Sequence, residues 1–319
     1  MVTGIFAGIT WAVETVILGI ALSMTPFISG ESAILLAPFI STFLHDASSA
    51  IYMWCFNGIK GNLKEIFKIV ITKNFKWLLL ASAIGGPVGM TGYVLAVNYM
   101  GSSVGAVATA VYPAIGSVLA YLFLKEKIRW HQWIFLLLTM LGVYGLSYSP
   151  ELNIVNFRLG LCGVIMCAFG WGLEGVILSK CFKDEEMKSE YALQLRQTTS
   201  AVLYGTIIIP ALNGWGFVSE LFVQENIITL LVIAISALFA TISYLLYYKT
   251  IAKIGVSKAM GLNITYTAWA IFFTVIILRD CGVLNVLTVS CAVVVVVCGL
   301  FAATDFKEIF SFLNKKKEL

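Results

Sequence analysis

Trp11-Ala12-Val13-Glu14-Thr15-Val16-Ile17-Leu18 and Trp171-Gly172-Leu173-Glu174-Gly175-Val176-Ile177-Leu178 each set a carboxylate three residues after an indole and then run Val-Ile-Leu, at an offset of 160 residues. Residues three apart share one face of a helix. Both pairs lie in long apolar runs, where an ionisable side chain is costly and marks a substrate, ion or proton path. An acid beside aromatic faces is the chemistry of a cation site: ring quadrupoles attract the cation and the carboxylate supplies its counter-charge. Asn263, Tyr266 and Trp269 continue that spacing elsewhere, and Tyr112 is the counterpart of Tyr266 in a second internal echo. Trp11, Tyr112, Trp171, Tyr266 and Trp269 are the expected cage, which the repeat would gather at a common axis. Tyr93, Tyr244, Tyr247 and Tyr248 are read as packing.

His45 and Asp46 also fall near the middle of an apolar run, and Arg196 lies inside another. Consecutive residues point about 100° apart on a helix, so one of the pair lines a cavity while the other meets a neighbouring helix. An imidazole titrates near neutral pH and desolvation raises a carboxylate toward it, so either residue suits a coupling proton. The structural alternative is a buried acid held by Arg196.

These residues need elements that carry them across an apolar solvent. The 319 residues are 60% hydrophobic and 12% charged, with a mean hydropathy of +0.92, against a charged share of about 25% in ordinary soluble domains. The expected class is an all-α membrane protein. Its first apolar run lacks a basic leader and a cleavage motif and carries Glu14, so it is read as a span and not as a signal peptide. The seven cysteines form no CxxC pair and read as packing residues, without a zinc site or a disulfide framework. No HExxH, Walker loop or nucleophile elbow occurs. The expectation is therefore no enzyme, no cofactor, no metal and no nucleic-acid partner.

Stretches of about 17 to 25 apolar residues give ten spans, near 2–23, 33–57, 76–98, 104–124, 131–148, 159–180, 191–212, 227–248, 258–278 and 284–303. Lys and Arg gather on the cytoplasmic side of membrane proteins. With ten spans, 18 of the 21 basic residues fall in alternate loops and the tail, from Lys60–Lys76 to Lys315–Lys317, whereas Arg158 and Arg279 lie opposite and Arg196 within span seven. Both termini are expected in the cytoplasm.

Tyr93, Gly101, Ser103, Tyr112 and Lys125-Glu126 recur as Tyr247, Gly255, Ser257, Tyr266 and Arg279-Asp280, at an offset of 154 residues. Five intervening spans turn the second copy over, which predicts two inverted five-helix repeats, residues 1–150 and 151–305, before a cytoplasmic tail at 306–319. Such repeats bind substrate near the bilayer midplane at their interface. Gly85-Gly86-Pro87 with Gly89, and Tyr112-Pro113, are helix breakers, tolerated in a span where freed backbone groups are buried or line a cavity. The link Gly101–Gly105 permits close helix approach, and Phe306–Phe312 reads as an interfacial helix end.

Ten spans in two inverted halves, Tyr112-Pro113-Ala114-Ile115 and Leu122-Phe123-Leu124-Lys125-Glu126-Lys127 resemble the drug/metabolite transporter (EamA) superfamily. His45-Asp46, Gly86-Pro87-Val88-Gly89-Met90, Gly101-Ser102-Ser103, Ala110–Ile115, Trp171–Glu174, Leu195-Arg196-Gln197 and Gly261–Tyr266 look like the bacterial choline permeases of the lic locus. That resemblance implies proton-coupled choline uptake across a bacterial plasma membrane, with Trp11, Trp171, Tyr266 and Glu174 at cage positions. Glu14 departs from the neutral residue it implies there.

The expected function is secondary transport of choline or a related quaternary ammonium by alternating access. Trp11, Glu14, Tyr112, Trp171, Glu174, Gln197, Asn263, Tyr266 and Trp269 are the expected substrate residues, Asn263 or Gln197 taking the hydroxyl. His45, Asp46 and Glu174 are the expected proton carriers, and the partners are a small cation, protons and lipid. The rival readings are an exporter of amino acids or amphiphilic metabolites and, from another class, a non-transporting membrane scaffold.

Overall fold

The computed structural model describes residues 1–100, 109–146, 156–183, 187–279, 281–282 and 284–305. Among them every regular element is helical, without a strand. The first half comprises α1 (Val2–Leu22), α2 (Glu31–Ile59), α3 (Leu63–Val70), α4 (Lys73–Ala83), α5 (Gly89–Met100), α6 (Tyr112–Leu119) and α7 (Trp130–Leu146). The second comprises α8 (Phe157–Cys181), α9 (Ser189–Leu203), α10 (Trp215–Glu220), α11 (Ile227–Ile254), α12 (Val256–Asn263), α13 (Tyr266–Phe273) and α14 (Val286–Ala302).

Among the described residues, six helical stretches are long and apolar enough to cross a membrane: Val2–Leu22, Glu31–Ile59, Lys73–Ala96, Phe157–Cys181, Gln224–Ile254 and Val256–Leu278. Tyr112–Leu124, Trp130–Leu146 and Val286–Ala302 are apolar but shorter. The remaining expected span begins as α9, whose middle holds Gln194, Arg196, Gln197, Thr198, Thr199 and Ser200, a polar run that faces protein interior in part: Gln194, Arg196, Gln197 and Ser200 are all buried. Large apolar side chains such as Phe6, Ile51, Leu137 and Val293 point outward, which is how a chain solvated by lipid distributes its surface. Gly101–Gly105, Asp280, the boundary at 150/151 and the tail from Phe306 lie outside the described residues.

Glycine lets helices meet backbone to backbone. A Cβ on Gly163 of α8 would stand 2.5 Å from the Gly92 carbonyl oxygen and 2.6 Å from the Ala96 amide nitrogen, both on α5. A Cβ on Gly170 of α8 would stand 2.9 Å from the Gly89 Cα of α5, and one on Gly89 would stand 2.8 Å from the Trp171 indole of α8. Between α4 and α5 the helix widens into a π-turn at Ile84–Val88 around Gly85, Gly86 and Pro87, because proline has no N–H to donate and its ring obstructs the preceding turn. The expected break is therefore present.

The packing is duplicated. α1 lies along α11 and α8 along α5; α1 also packs on α13, and α8 on α6; α2 pairs with α9, and α7 with α14. An offset of 154 residues exchanges the first two pairings, exchanges the next two, and returns each of the last two onto itself. Local structure repeats at the same offset. Helices start at Tyr112 and Tyr266, π-turns follow at Ala120–Leu124 and Thr274–Leu278, and each ends on a left-handed residue, Lys125 (φ 54°) and Arg279 (φ 56°).

Just past Lys125, the Glu126 carboxylate accepts the backbone N–H of Val256 (2.8 Å) and of Ser257 (3.2 Å), the first residues of α12. Gly255, at φ 87°, has no Cβ to press on that carboxylate. A carboxylate on the free amides of a helix start contributes about 1 kcal/mol. Glu126→Ala is accordingly expected to speed amide exchange at Val256 and Ser257 about fivefold by hydrogen-exchange mass spectrometry; unchanged exchange there contradicts the capping role.

Candidate functional site

Trp171, Glu174, Gly175 and Leu178 form a stripe on α8 at i, i+3, i+4 and i+7, and all four line one cavity of about 80 Å³. By the same measure a single water needs roughly 10–15 Å³, so the space suits a group of several heavy atoms. α11 contributes Ser243, Tyr244, Tyr247 and Tyr248, again a single helical face, while Trp11 comes from α1, Tyr112 from α6, Asn263 from α12 and Tyr266 from α13. Both halves of the chain thus contribute, and among the described residues Glu174 is the only charged one in the lining.

The aromatic walls are braced. The Trp171 indole N–H donates to the Gly85 carbonyl (3.1 Å), within the π-turn, and Tyr93 stacks on its ring at 6.0 Å. Tyr112 meets Trp171 edge-on at 5.3 Å, and its hydroxyl oxygen accepts from the Asn263 amide (3.3 Å). Trp11 meets Tyr244 at 4.8 Å and Tyr266 at 6.3 Å, both edge-on. The Arg196 guanidinium lies over the Tyr244 ring at 4.9 Å. Asn263, a lining residue, has its Oδ1 buried without a hydrogen-bond partner among the described residues.

Glu174 opens into a chain of buried charges. Its Oε1 accepts from Arg196 Nε (3.0 Å) and from the Tyr248 hydroxyl (3.3 Å). Arg196 Nη1 donates to Gln197 Oε1 (2.6 Å) and Asp46 Oδ2 (3.3 Å). His45 Nδ1 lies 3.2 Å from Asp46 Oδ1, and His45 Nε2 lies 3.6 Å from Glu14 Oε1. Three carboxylates against one guanidinium leave a formal charge of −2 with His45 neutral. Uncompensated buried charge is expensive, so positive charge brought to the cluster would be stabilised.

Of the residues expected at the substrate site, Trp11, Tyr112, Trp171, Glu174, Asn263 and Tyr266 line the cavity, and Glu14, Gln197 and Trp269 stand outside it. Glu14 faces Ser236 and His45, and Gln197 serves Arg196. The turn at Ile264–Thr265 ends α12 before α13 begins, so Asn263, Tyr266 and Trp269 do not follow one continuous helix; Trp269 packs edge-on against Phe272. His45 and Asp46 join the ion chain without lining the cavity. Tyr244, Tyr247 and Tyr248, expected as packing, are cavity walls; their i, i+3, i+4 spacing was the available signal, and without a neighbouring acid in sequence it read as helix packing. Tyr93 stays behind Trp171.

Residues 1–148 match the EamA-like transporter family. Protein LicB of Haemophilus influenzae (strain ATCC 51907 / DSM 11121 / KW20 / Rd) is 30% identical over 193 residues, covering 60% of this chain and 63% of LicB. The aligned part therefore spans less than two thirds of that relative. A protein of known crystal structure is similar with a TM-score of 0.68, over 95% of this chain and 96% of its own length, at 15% identity. At that identity the likeness shows a shared fold alone.

Proposed function

From a chain whose residues 1–148 are EamA-like and which is related to LicB, we propose a secondary transporter of choline or a related quaternary ammonium. The observation that carries this reading is the cavity itself: among the described residues, aromatic walls surround a single charged side chain, Glu174, with no lysine or arginine in the lining. A quaternary ammonium has no hydrogen-bond donor on its nitrogen and is held by ring faces and one counter-charge. The choline hydroxyl would donate to Asn263 Oδ1, the acceptor left without a partner. A zwitterion would bring a carboxylate to a lining without a cationic side chain, which favours choline over amino acids.

The duplicated packing supports a transport reading. Taken as two inverted five-helix repeats in a bacterial plasma membrane, residues 1–150 and 151–305 rock about the cavity to give alternating access, with ten spans and both termini in the cytoplasm. The short apolar helices Tyr112–Leu124, Trp130–Leu146 and Val286–Ala302 and the α9 stretch then complete the count. The formal charge of −2 in the ion chain supports coupling to a proton, carried among His45, Asp46 and Glu174.

Choline is expected to raise the melting temperature of the purified protein, carnitine and betaine less so, and alanine not at all. Trp171→Leu removes a cage wall and should weaken choline binding about 30-fold, near 2 kcal/mol, the upper range for a desolvated cation–π contact. Calorimetry or competition binding checks this. A melting temperature indifferent to every quaternary ammonium would sink the reading; stabilisation by amino acids instead would favour the exporter.

A further inference from the structure

The cavity and the far end of the ion chain are different places. Glu14 lies one turn beyond Trp11 on α1 and is 4% exposed, yet it lines no part of the cavity. Its Oε1 accepts from Ser236 Oγ on α11 (3.2 Å) and its Oε2 from Thr15 (3.2 Å). His45, 7% exposed, presents Nε2 to that carboxylate without a hydrogen bond. Their separation of 3.6 Å exceeds a hydrogen bond. A donor proton shared by the two would close it.

The surroundings fix how many charges the pair must balance. The titratable and charged groups around it are Asp46 on α2, Arg196 on α9, and the Tyr244 and Tyr266 phenols on α11 and α13. Asp46 and Glu174 already share Arg196. In contact with Glu14, His45 is the group able to become cationic. Closing the gap brings α1, which carries Trp11 of the cage, toward α2, which reaches Glu174 through Asp46 and Arg196. One contact thus touches both sides of the substrate site.

We propose that Glu14 and His45 form a proton-binding pair, separate from the substrate cavity, whose closure couples a proton to the position of the aromatic cage. The inference rests on the cation-transport reading above. It assigns Glu14 to the proton and not to the substrate.

The test uses the full-length protein in proteoliposomes, with the membrane potential clamped at zero and the interior alkaline. Radiolabelled choline is followed in two modes, accumulation driven by the pH gradient and choline–choline exchange at equal pH. Wild type is expected to accumulate choline above equilibrium. Glu14→Gln is expected to lose gradient-driven accumulation about tenfold while exchange stays within about threefold. Ser236→Ala removes one donor to Glu14 and no ionisable group, and should shift the pH of half-maximal accumulation with exchange intact. Choline-induced thermal stabilisation of Glu14→Gln shows that the variant is folded. Full accumulation in Glu14→Gln overturns the proposal, as does a parallel loss of exchange, which would make Glu14 a ligand or a structural residue, or an unshifted Ser236→Ala profile. Wild-type protein that exchanges no quaternary ammonium refutes the transport reading instead.

Discussion

Glu174→Gln is expected to abolish choline-dependent stabilisation and to weaken choline binding about 100-fold while leaving the protein folded. A monovalent cation about 5 Å from a carboxylate gains roughly 3 kcal/mol at an effective dielectric near 20, and each 1.4 kcal/mol is a factor of ten. Glutamine keeps the shape and a carbonyl that Arg196 can use, so what is removed is the charge. Arg196 also keeps Asp46 at 3.3 Å and Gln197 at 2.6 Å, which spares the variant the full cost of a stranded buried guanidinium. Binding calorimetry together with a melting curve separates the two effects. If Glu174→Gln binds choline as wild type does, Glu174 is only the structural partner of Arg196 and the site lies elsewhere. Glu174→Asp should fall between them, because it restores charge but withdraws it from the cavity.

Gly163→Leu is expected to cost about 3 kcal/mol or more in stability, whatever the substrate. The Cβ alone would crowd Gly92 O, Ala96 N and Leu95 Cβ within 2.5 to 2.8 Å. Two of these are backbone atoms, which give way only if α5 and α8 separate, so the usual overpacking penalty of about 1–3 kcal/mol is a lower bound. α8 also carries Trp171 and Glu174, so choline affinity should fall with stability. Gly19→Ala is the control: nothing lies within 4 Å of its added Cβ, and exchanging glycine for alanine inside a helix is worth up to about 1 kcal/mol in its favour. Denaturation of both variants in detergent measures the contrast. An unperturbed Gly163→Leu would mean that α5 and α8 are not in backbone contact.

Apolar runs with one acid and an indole at helical spacing determined much on their own: a membrane protein, a helical scaffold, and the α8 stripe of Trp171 and Glu174. Those are local properties, since hydropathy fixes the solvent and a spacing of three fixes the helix face. The duplicated Tyr112 and Tyr266 were equally legible, and the structure adds matching helix starts, π-turns and left-handed residues at one offset. Tertiary structure alone decided the rest. Trp11 and Glu14 share a sequence motif with Trp171 and Glu174, yet Glu14 turns to Ser236 because α1 packs along α11, whereas Glu174 meets the Arg196 side chain of α9. The turn at Ile264–Thr265 separated Trp269 from Asn263, and three tyrosines of α11 became cavity walls because that face met α1 and α8. A motif can say which side chains share a helix face; only the neighbouring helices decide whether that face meets a cavity, a cation or another acid.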